Sequence, residues 1–303
     1  MLRLGVDLGG TKIEAALLDE YGACSVRRRT ATPAGYEEKL DAIADLVAAV
    51  EAEAGLTAPL PAGIGHPGSI NPRTGLMRNA NSTALNGHPL DQDLARRLNR
   101  PVRCANDANC FALSEARDGA GAGARSVFGV IAGTGVGGGI VLDGALVPGA
   151  DGNAGEWGHT ALPYMTPQEL AISPPCYCGK TNCVEAWCSG PALSRDHERR
   201  TGETCSVQQI ALAAKTGDEA AQLSLDQHED RFARALSNVI NILDPDVIVL
   251  GGGLSNLDGF ADRLAKRVAD WAFTDDPITQ IRTPVHGDSS GVRGAAWLWD
   301  GAN

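Results

Sequence analysis

One pattern occurs twice in this chain and limits what it can become. "LRLGVDLGGTKIEAALLDEYG" (residues 2–22) is an apolar run ending in Asp7, a glycine turn with a threonine, then a second apolar run ending at Asp19. "GVIAGTGVGGGIVLDG" (residues 129–144) follows the same order, with Thr134 placed as Thr11 is. Gly133, Gly135 and Gly138 have the G-x-G-x-x-G spacing of a dinucleotide loop, but that loop needs a helix after the glycines. Here Gly139 is followed by Ile-Val-Leu-Asp-Gly, a short apolar run closed by a turn signal. No acidic residue ends a second strand about 20 residues on, where a ribose contact would be expected. The reading is therefore a duplicated β-hairpin. Two such turns can enclose a polyphosphate, because glycine lets backbone N–H groups approach phosphate oxygens and threonine adds a hydroxyl. The plainer alternative is a pair of ordinary hairpin turns.

Periodicity supplies the rest of the framework. Tyr36, Leu40, Ile43, Val47 and Val50 define a helix over 36–54, stopped by Gly55. Helices are also expected at 91–98, 108–117, 207–215 and 218–243, with a last one in "SGVRGAAWLWD". A strand at 102–105 precedes "NDAN", and "DPDVIVLGGGLSN" is a buried strand feeding a further glycine turn. Strands alternate with helices, so the class is α/β. At 303 residues, 43% of them hydrophobic, the chain can build two domains. A formal net charge of −11 argues against a general nucleic-acid or membrane binder. The chain enters a strand at once and has no transmembrane-length segment, so a cytoplasmic protein is expected.

The polar residues at strand ends and in loops carry the chemistry. Asp107 lies between a strand and a helix, where it could be the helix N-cap or a general base for a hydroxyl. Asn106 and Asn109 beside it suit a polyol, as do Asn79, Asn81, Ser82, Thr83 and Asn86 in "NANSTALNG". Glu156 and Glu185 are further polyol candidates, each otherwise a solvated charge. Cys176, Cys178 and Cys183 crowd into "PPCYCGKTNCVE" at C-x-C-x4-C spacing, three ligands of a structural zinc site. The fourth comes from His159 in preference to Cys188. Unligated thiols are the alternative. Cys24, Cys104, Cys110 and Cys205 read as incidental thiols in a reducing compartment.

Together "DLGGTK", "NDAN", "GTGVGGG", "GEWGH", the cysteine cluster and "VIVLGGG" resemble the ROK family of bacterial sugar kinases and repressors, in that family's order from residue 5 to about 297. The resemblance implies an actin-like, hexokinase-type (ribonuclease H-like) fold of two α/β domains with a cleft that closes over the sugar. The expected division is a smaller domain at 1–117, completed by the C-terminal helix at about 290–303, and a larger one at 118–289 carrying the zinc loop. ATP and Mg²⁺ are implied as co-substrates, with structural Zn²⁺. Asp107 is implied as general base and sugar ligand, and Asp7 as the residue near Mg²⁺. Gly9, Gly10, Thr11 and Lys12 form the first phosphate turn, and Gly133, Thr134 and Gly135 the second. Gly251, Gly252 and Gly253 approach the adenosine. Ser69, Asn81, Asn106, Glu156, His159 and Glu185 contact the sugar, and His159, Cys176, Cys178 and Cys183 hold zinc.

Two departures from the family pattern stand out. Asn182 replaces a usual glycine, and His159 precedes Cys176 by 17 positions, a longer gap than is common. The residues between them suggest an extra loop over the sugar or at a subunit contact. Within the family the motifs look most like the fructokinases. The expected activity is therefore phosphorylation of D-fructose at the 6-hydroxyl, with mannose as an additional substrate. N-acetylglucosamine or glucose is the alternative sugar, and a non-catalytic sugar-sensing regulator the alternative class. No DNA-binding module is expected before the first hairpin, and a homodimer is expected as in many relatives.

Overall fold

The computed structural model describes residues 2–274 and 276–300. Its strands are β1 (Arg3–Leu8), β2 (Lys12–Leu18), β3 (Cys24–Ala31), β4 (Ala62–His66), β5 (Ser69–Ile70), β6 (Met77–Arg78), β7 (Val102–Asn106), β8 (Ser126–Ala132), β9 (Val136–Leu142), β10 (Ala145–Leu146), β11 (Val247–Gly251) and β12 (Gln280–Arg282). Its α-helices are α1 (Tyr36–Glu53), α2 (Leu90–Leu98), α3 (Asp107–Asp118), α4 (Pro167–Ile172), α5 (Val184–Cys188), α6 (Gly190–Thr201), α7 (Val207–Lys215), α8 (Glu219–Leu243), α9 (Phe260–Arg267) and α10 (Ser290–Trp297). Among the described residues no helix is long and apolar enough to cross a membrane.

The hairpin repeat extends to whole sheets. One five-stranded sheet has the order β3-β2-β1-β4-β7 and the other β10-β9-β8-β11-β12. In the first, β1 pairs antiparallel with β2 and parallel with β4, which pairs parallel with β7. In the second, β11 lies parallel to both β8 and β12. Each sheet is thus an antiparallel ribbon continued by parallel strands, the mixed type that crossover helices build.

The chain divides into two compact units. The first takes the residues up to Arg125, 139–154 and those from Val285 on; the second takes 126–138 and 155–284. These limits differ from the 117/118 and 289/290 expected from sequence, and hydrogen bonds explain the shift. Glu115, fully buried, accepts from Ala120 N, Val285 N, His286 N and Ser290 Oγ at 2.9–3.1 Å, which ties 118–125 and 285–289 to α3. Arg78 binds the Asp151 carbonyl and Asn153 Oδ1, which brings the 139–154 segment to β6. Residues 301–303 of the expected C-terminal element lie outside the described residues.

In the first unit α1 buries Leu40, Ile43, Val47 and Val50 at the spacing read from sequence. Each such side chain contributes about 1.5–3 kcal/mol by leaving water. Against β1 and β4 lies α10, whose Ala295 and Ala296 are fully buried.

In the second unit the residues between His159 and Cys176 are bolted down. Thr166 caps α4 through a capping box with Glu169. Glu169 is buried and accepts from Arg231 Nε at 2.7 Å, and from Arg234 Nη2 at 2.7 Å and Nη1 at 2.9 Å. Both arginines come from α8, and Tyr164 stacks on Trp271 with ring centroids 5.5 Å apart. Burial alone would raise the Glu169 carboxyl, but hydrogen bonds from Arg234 and Arg231 outweigh it and hold the group at about 2.

Glu169→Gln is expected to destabilise the fold by roughly 1–3 kcal/mol, because it removes the charge shared by two buried guanidinium groups while Arg231 keeps Asp196 at 3.0 Å and Arg234 keeps Asp230 at 3.0 Å. The lowered pKa gives the sign of the pH dependence. This carboxylate's contribution is complete above its ordinary pKa of 4.5 and disappears as pH falls toward about 2. Urea unfolding at a series of pH values should show parent and variant curves separated at neutral pH and converging in acid.

Candidate active site

The first unit brings Asp7 and Asp107 within electrostatic reach of each other. Asp7 stands near the end of β1, opposite Glu14 on β2, with its carboxyl against the start of α10 at Gly291. Burial is the largest cause raising its pKa to about 6; the charges of Asp107 and Glu14 add to this and Lys12 opposes it. Asp107 is exposed at the first position of α3, and its Oδ1 accepts from Ala108 N at 2.8 Å. The N-cap is Asn106, whose Oδ1 accepts from the same amide at 2.9 Å. The capping alternative raised for Asp107 thus falls to its neighbour.

The β1–β2 turn is closed by Gly9 N donating to Lys12 O at 3.0 Å. Thr32 straps it from outside: its Oγ1 donates to Gly9 O at 2.8 Å and its N to Thr11 O at 3.0 Å. The amides of Gly10 and Thr11, both exposed, make no hydrogen bond among the described residues. They are donors held in place without a partner, which suits an anion.

Three sugar candidates in this unit differ in placement. Asn106 also donates from Nδ2 to Gly68 O at 3.0 Å, so it ties the 67–69 turn to the start of α3. Ser69 Oγ accepts from Arg78 Nε at 3.2 Å. Ser69, Asn106 and Asn109 share a cavity of about 400 Å³, and Asp107 is not on its wall. Asn81 is exposed on the loop after β6; Asn86 holds that loop through two 3.0 Å bonds to Ala80.

In the second unit the glycine turns after β8 and β11 lie side by side at the carboxyl ends of neighbouring parallel strands, where open α/β sheets bind ligands. Gly133 N donates to Gly135 O at 2.9 Å, and Gly190 N, the first residue of α6, donates to Gly133 O at 2.8 Å. The positive end of α6 therefore meets the turn, an arrangement that favours phosphate. Thr134 is exposed at the tip. Gly251 ends β11. Gly252 has φ +82°, and a Cβ there would come within 2.4 Å of Ala132 O, so only glycine fits. A Cβ on Gly253 would meet open space.

Glu185 is locked to the same turn. Its Oε2 accepts from Val136 N at 2.8 Å, and a Cβ on Gly135 would lie 2.5 Å from that oxygen. Trp157 Nε1 donates to Gly137 O at 2.9 Å, which seats the "GEWGH" turn on β9. Glu156, at the head of that turn, is exposed and has no side-chain partner among the described residues.

The four zinc candidates converge. The ligand atoms of His159, Cys176, Cys178 and Cys183 all lie within 4.8 Å of one another. Cys178 and Cys183 Sγ are 3.6 Å apart, and Cys176 Sγ is 3.5 Å from His159 Nδ1. A tetrahedral zinc with ordinary Zn–S and Zn–N lengths needs edges of about 3.8 Å and about 3.6 Å. Cys188 is buried on α5 and is not in the group. Asn182 has φ +61°, the left-handed backbone asparagine tolerates, and its Nδ2 donates to Ser173 Oγ at 2.8 Å.

Sequence reasoning missed Tyr177. Its ring is largely exposed, but its hydroxyl lies 2.9 Å from His159 Nε2. Partial burial of that hydroxyl, then the charges of Glu185 and Glu156, push it up to about 12. Tyr177 thus touches His159 and lies within electrostatic reach of Glu185 and Glu156. Its position between two cysteines was the available signal.

Residues 3–302 match the family described as the ROK family. The chain is 40% identical over 303 residues to the N-acetyl-D-glucosamine kinase of Pasteurella multocida strain Pm70, covering 98% of this chain and 99% of the relative. It is 38% identical over 298 residues to the N-acetyl-D-glucosamine kinase of Citrobacter koseri, covering 97% and 98%. Among solved structures it resembles the ROK hexokinase of Thermus thermophilus, with a TM-score of 0.87 at 30% identity over 99% of this chain and 100% of that one. The ROK family glucokinase of Streptomyces griseus, solved with glucose and AMPPNP, gives 0.77 at 30% identity over 99% and 100%. The fold is therefore the hexokinase-type fold of two α/β domains.

Proposed function

This chain belongs to the ROK family, and we propose that it is an ATP-dependent N-acetylglucosamine kinase acting on the 6-hydroxyl. The observation that carries the choice of sugar is the near full-length identity of 38–40% to relatives of that name. The motif resemblance had favoured D-fructose, and these relatives support the alternative instead. Catalysis itself rests on the Asp7–Asp107 pair and on the glycine turns.

Asp107 accepts the proton of the sugar hydroxyl as that oxygen attacks the γ-phosphorus. The amides of Gly10, Thr11 and the Gly133–Gly135 turn, with Lys12 and the start of α6, take up phosphate charge. Gly252 and Gly253 leave the adenosine a surface without side chains. Asp7 would hold Mg²⁺, which when bound screens the phosphates. Asn106, Glu156, His159 and Glu185 orient the sugar, with Ser69 and Asn81 at its edge. His159 can serve twice, through Nδ1 toward zinc and through Nε2 toward the sugar. Zinc when bound by His159, Cys176, Cys178 and Cys183 fixes the loop that leads into Glu185.

A coupled ADP-release assay over N-acetylglucosamine, fructose, mannose and glucose tests the reading. N-acetylglucosamine should give the highest kcat/KM, by about tenfold or more, the least that a pocket contact to one extra group supplies. Fructose in first place would restore the earlier choice. No turnover with any sugar would favour a regulator.

A further inference from the structure

Cys205 reads in sequence as an incidental thiol, yet the fold gives it two metal-ligating neighbours in the second unit. His197 is on the last full turn of α6, and Glu203 and Cys205 are on the loop from α6 to α7. One ligand atom from each lies within 4.8 Å of the others. His197 is buried, Cys205 half-buried and Glu203 exposed, so the group opens to solvent on one side.

The loop is tied down residue by residue. Gly202 ends α6 in the left-handed conformation at φ +79°. Thr201 Oγ1 donates to His197 O at 2.9 Å, and Glu203 N donates to Thr201 Oγ1 at 3.1 Å. Thr204 Oγ1 donates to Glu198 Oε1 at 2.6 Å, and Ser206 caps α7 in a capping box with Gln209. Glu203 and Cys205 are thus presented by a fixed backbone.

The contacts of Ser224 Oγ suit one tautomer of His197. Ser224 Oγ donates its one hydrogen to Ala220 O at 2.9 Å. The same oxygen accepts from Arg200 Nη2 and lies 2.7 Å from His197 Nδ1. With the hydroxyl hydrogen on Ala220 O, the ring donates from Nδ1 and Nε2 keeps its lone pair, the tautomer that a metal ligand requires. Proteins prepare metal-binding histidines in this way, with the far nitrogen donating to a fixed oxygen.

We propose that His197 Nε2, the Glu203 carboxylate and the Cys205 sulfur form a second zinc site, separate from the Cys176 cluster. Imidazole, carboxylate and thiolate together select a borderline-soft divalent ion over Mg²⁺ or Ca²⁺. Three protein ligands leave the fourth position to water. Binding releases the Cys205 thiol proton to solvent, and the two anionic ligands then balance the ion's charge. The ion clips the α6–α7 junction together.

Zinc content per chain, measured by mass spectrometry after equilibration with zinc and gel filtration, tests this. Cys205→Ser should hold one zinc equivalent fewer than the parent, whatever the Cys176 cluster holds. If that variant does not fold, Glu203→Gln, changed at an exposed position, should bind its weaker zinc about tenfold or more less tightly in chelator competition, since a lost direct ligand matters at least as much as a lost supporting bond. Adding zinc should raise the Tm of zinc-stripped parent more than that of either variant. Parent-like zinc content and affinity in both variants would overturn the site, as would a parent whose zinc is lost entirely with Cys178→Ser.

Discussion

Asp107→Asn should lower kcat by about 10²- to 10⁴-fold, the usual contribution of a positioned general base. Sugar affinity by calorimetry should stay within a few fold, since the amide keeps the size and most hydrogen-bonding capacity of the carboxylate. The fold should tolerate the change. Asn106, not Asp107, caps α3, and an asparagine oxygen at 107 can still accept from Ala108 N. A large loss of turnover without loss of binding or of Tm therefore isolates proton transfer. Turnover close to the parent's would remove Asp107 from the mechanism. A collapse in Tm would show that it serves the helix after all.

What was legible in the sequence follows from where the physics is local. The two hairpins could be read because a strand–glycine–strand pattern needs particular residues at adjacent positions. The cysteine cluster could be read because a metal needs particular atoms, and three of its four candidate ligands lie within eight residues of chain. Strands at 102–105 and in "DPDVIVLGGGLSN" could be read as well, but not that the second halves of the two sheets repeat each other. β4 and β7 share position with β11 and β12 but little sequence, because pairing in a parallel ladder is made by backbone groups and asks for no particular side chain.

The Glu169, Arg231 and Arg234 network was equally hidden. Charged residues on an amphipathic helix read as its wet face, and only the packing of α4 on α8 shows them to be buried. The 160–175 residues, read as an extra loop, are in fact held by that network. Cys205 was passed over for the related reason that its neighbours include His197, a full helical turn and a loop away in sequence. At the start of α3, the choice between Asn106 and Asp107 as cap depended on a one-residue boundary that periodicity does not fix.

Asp7→Asn should cost activity and add stability, two effects that would be hard to obtain together from a purely structural residue. The Asp7 carboxyl titrates at about 6 in the folded protein against an ordinary 3.8, chiefly because it is buried and then because Asp107 and Glu14 face it. A raised carboxyl pKa means that the charged form is the unfavourable one in the fold. The stabilisation from holding the proton is complete below 3.8 and is lost as pH rises through 6. At pH 8 the ionised group then weighs against folding by about 3 kcal/mol. An uncharged asparagine removes that burden. The variant should be more stable than the parent at pH 8, by up to that amount, and should lose its advantage by pH 4. Its turnover should fall by about a hundredfold or more, because the charge that opposes folding is the one expected to meet the cation and the phosphates. A variant less stable than the parent at pH 8 would show that Asp7 is paired in the fold. Unchanged turnover would show that it has no part in phosphoryl transfer.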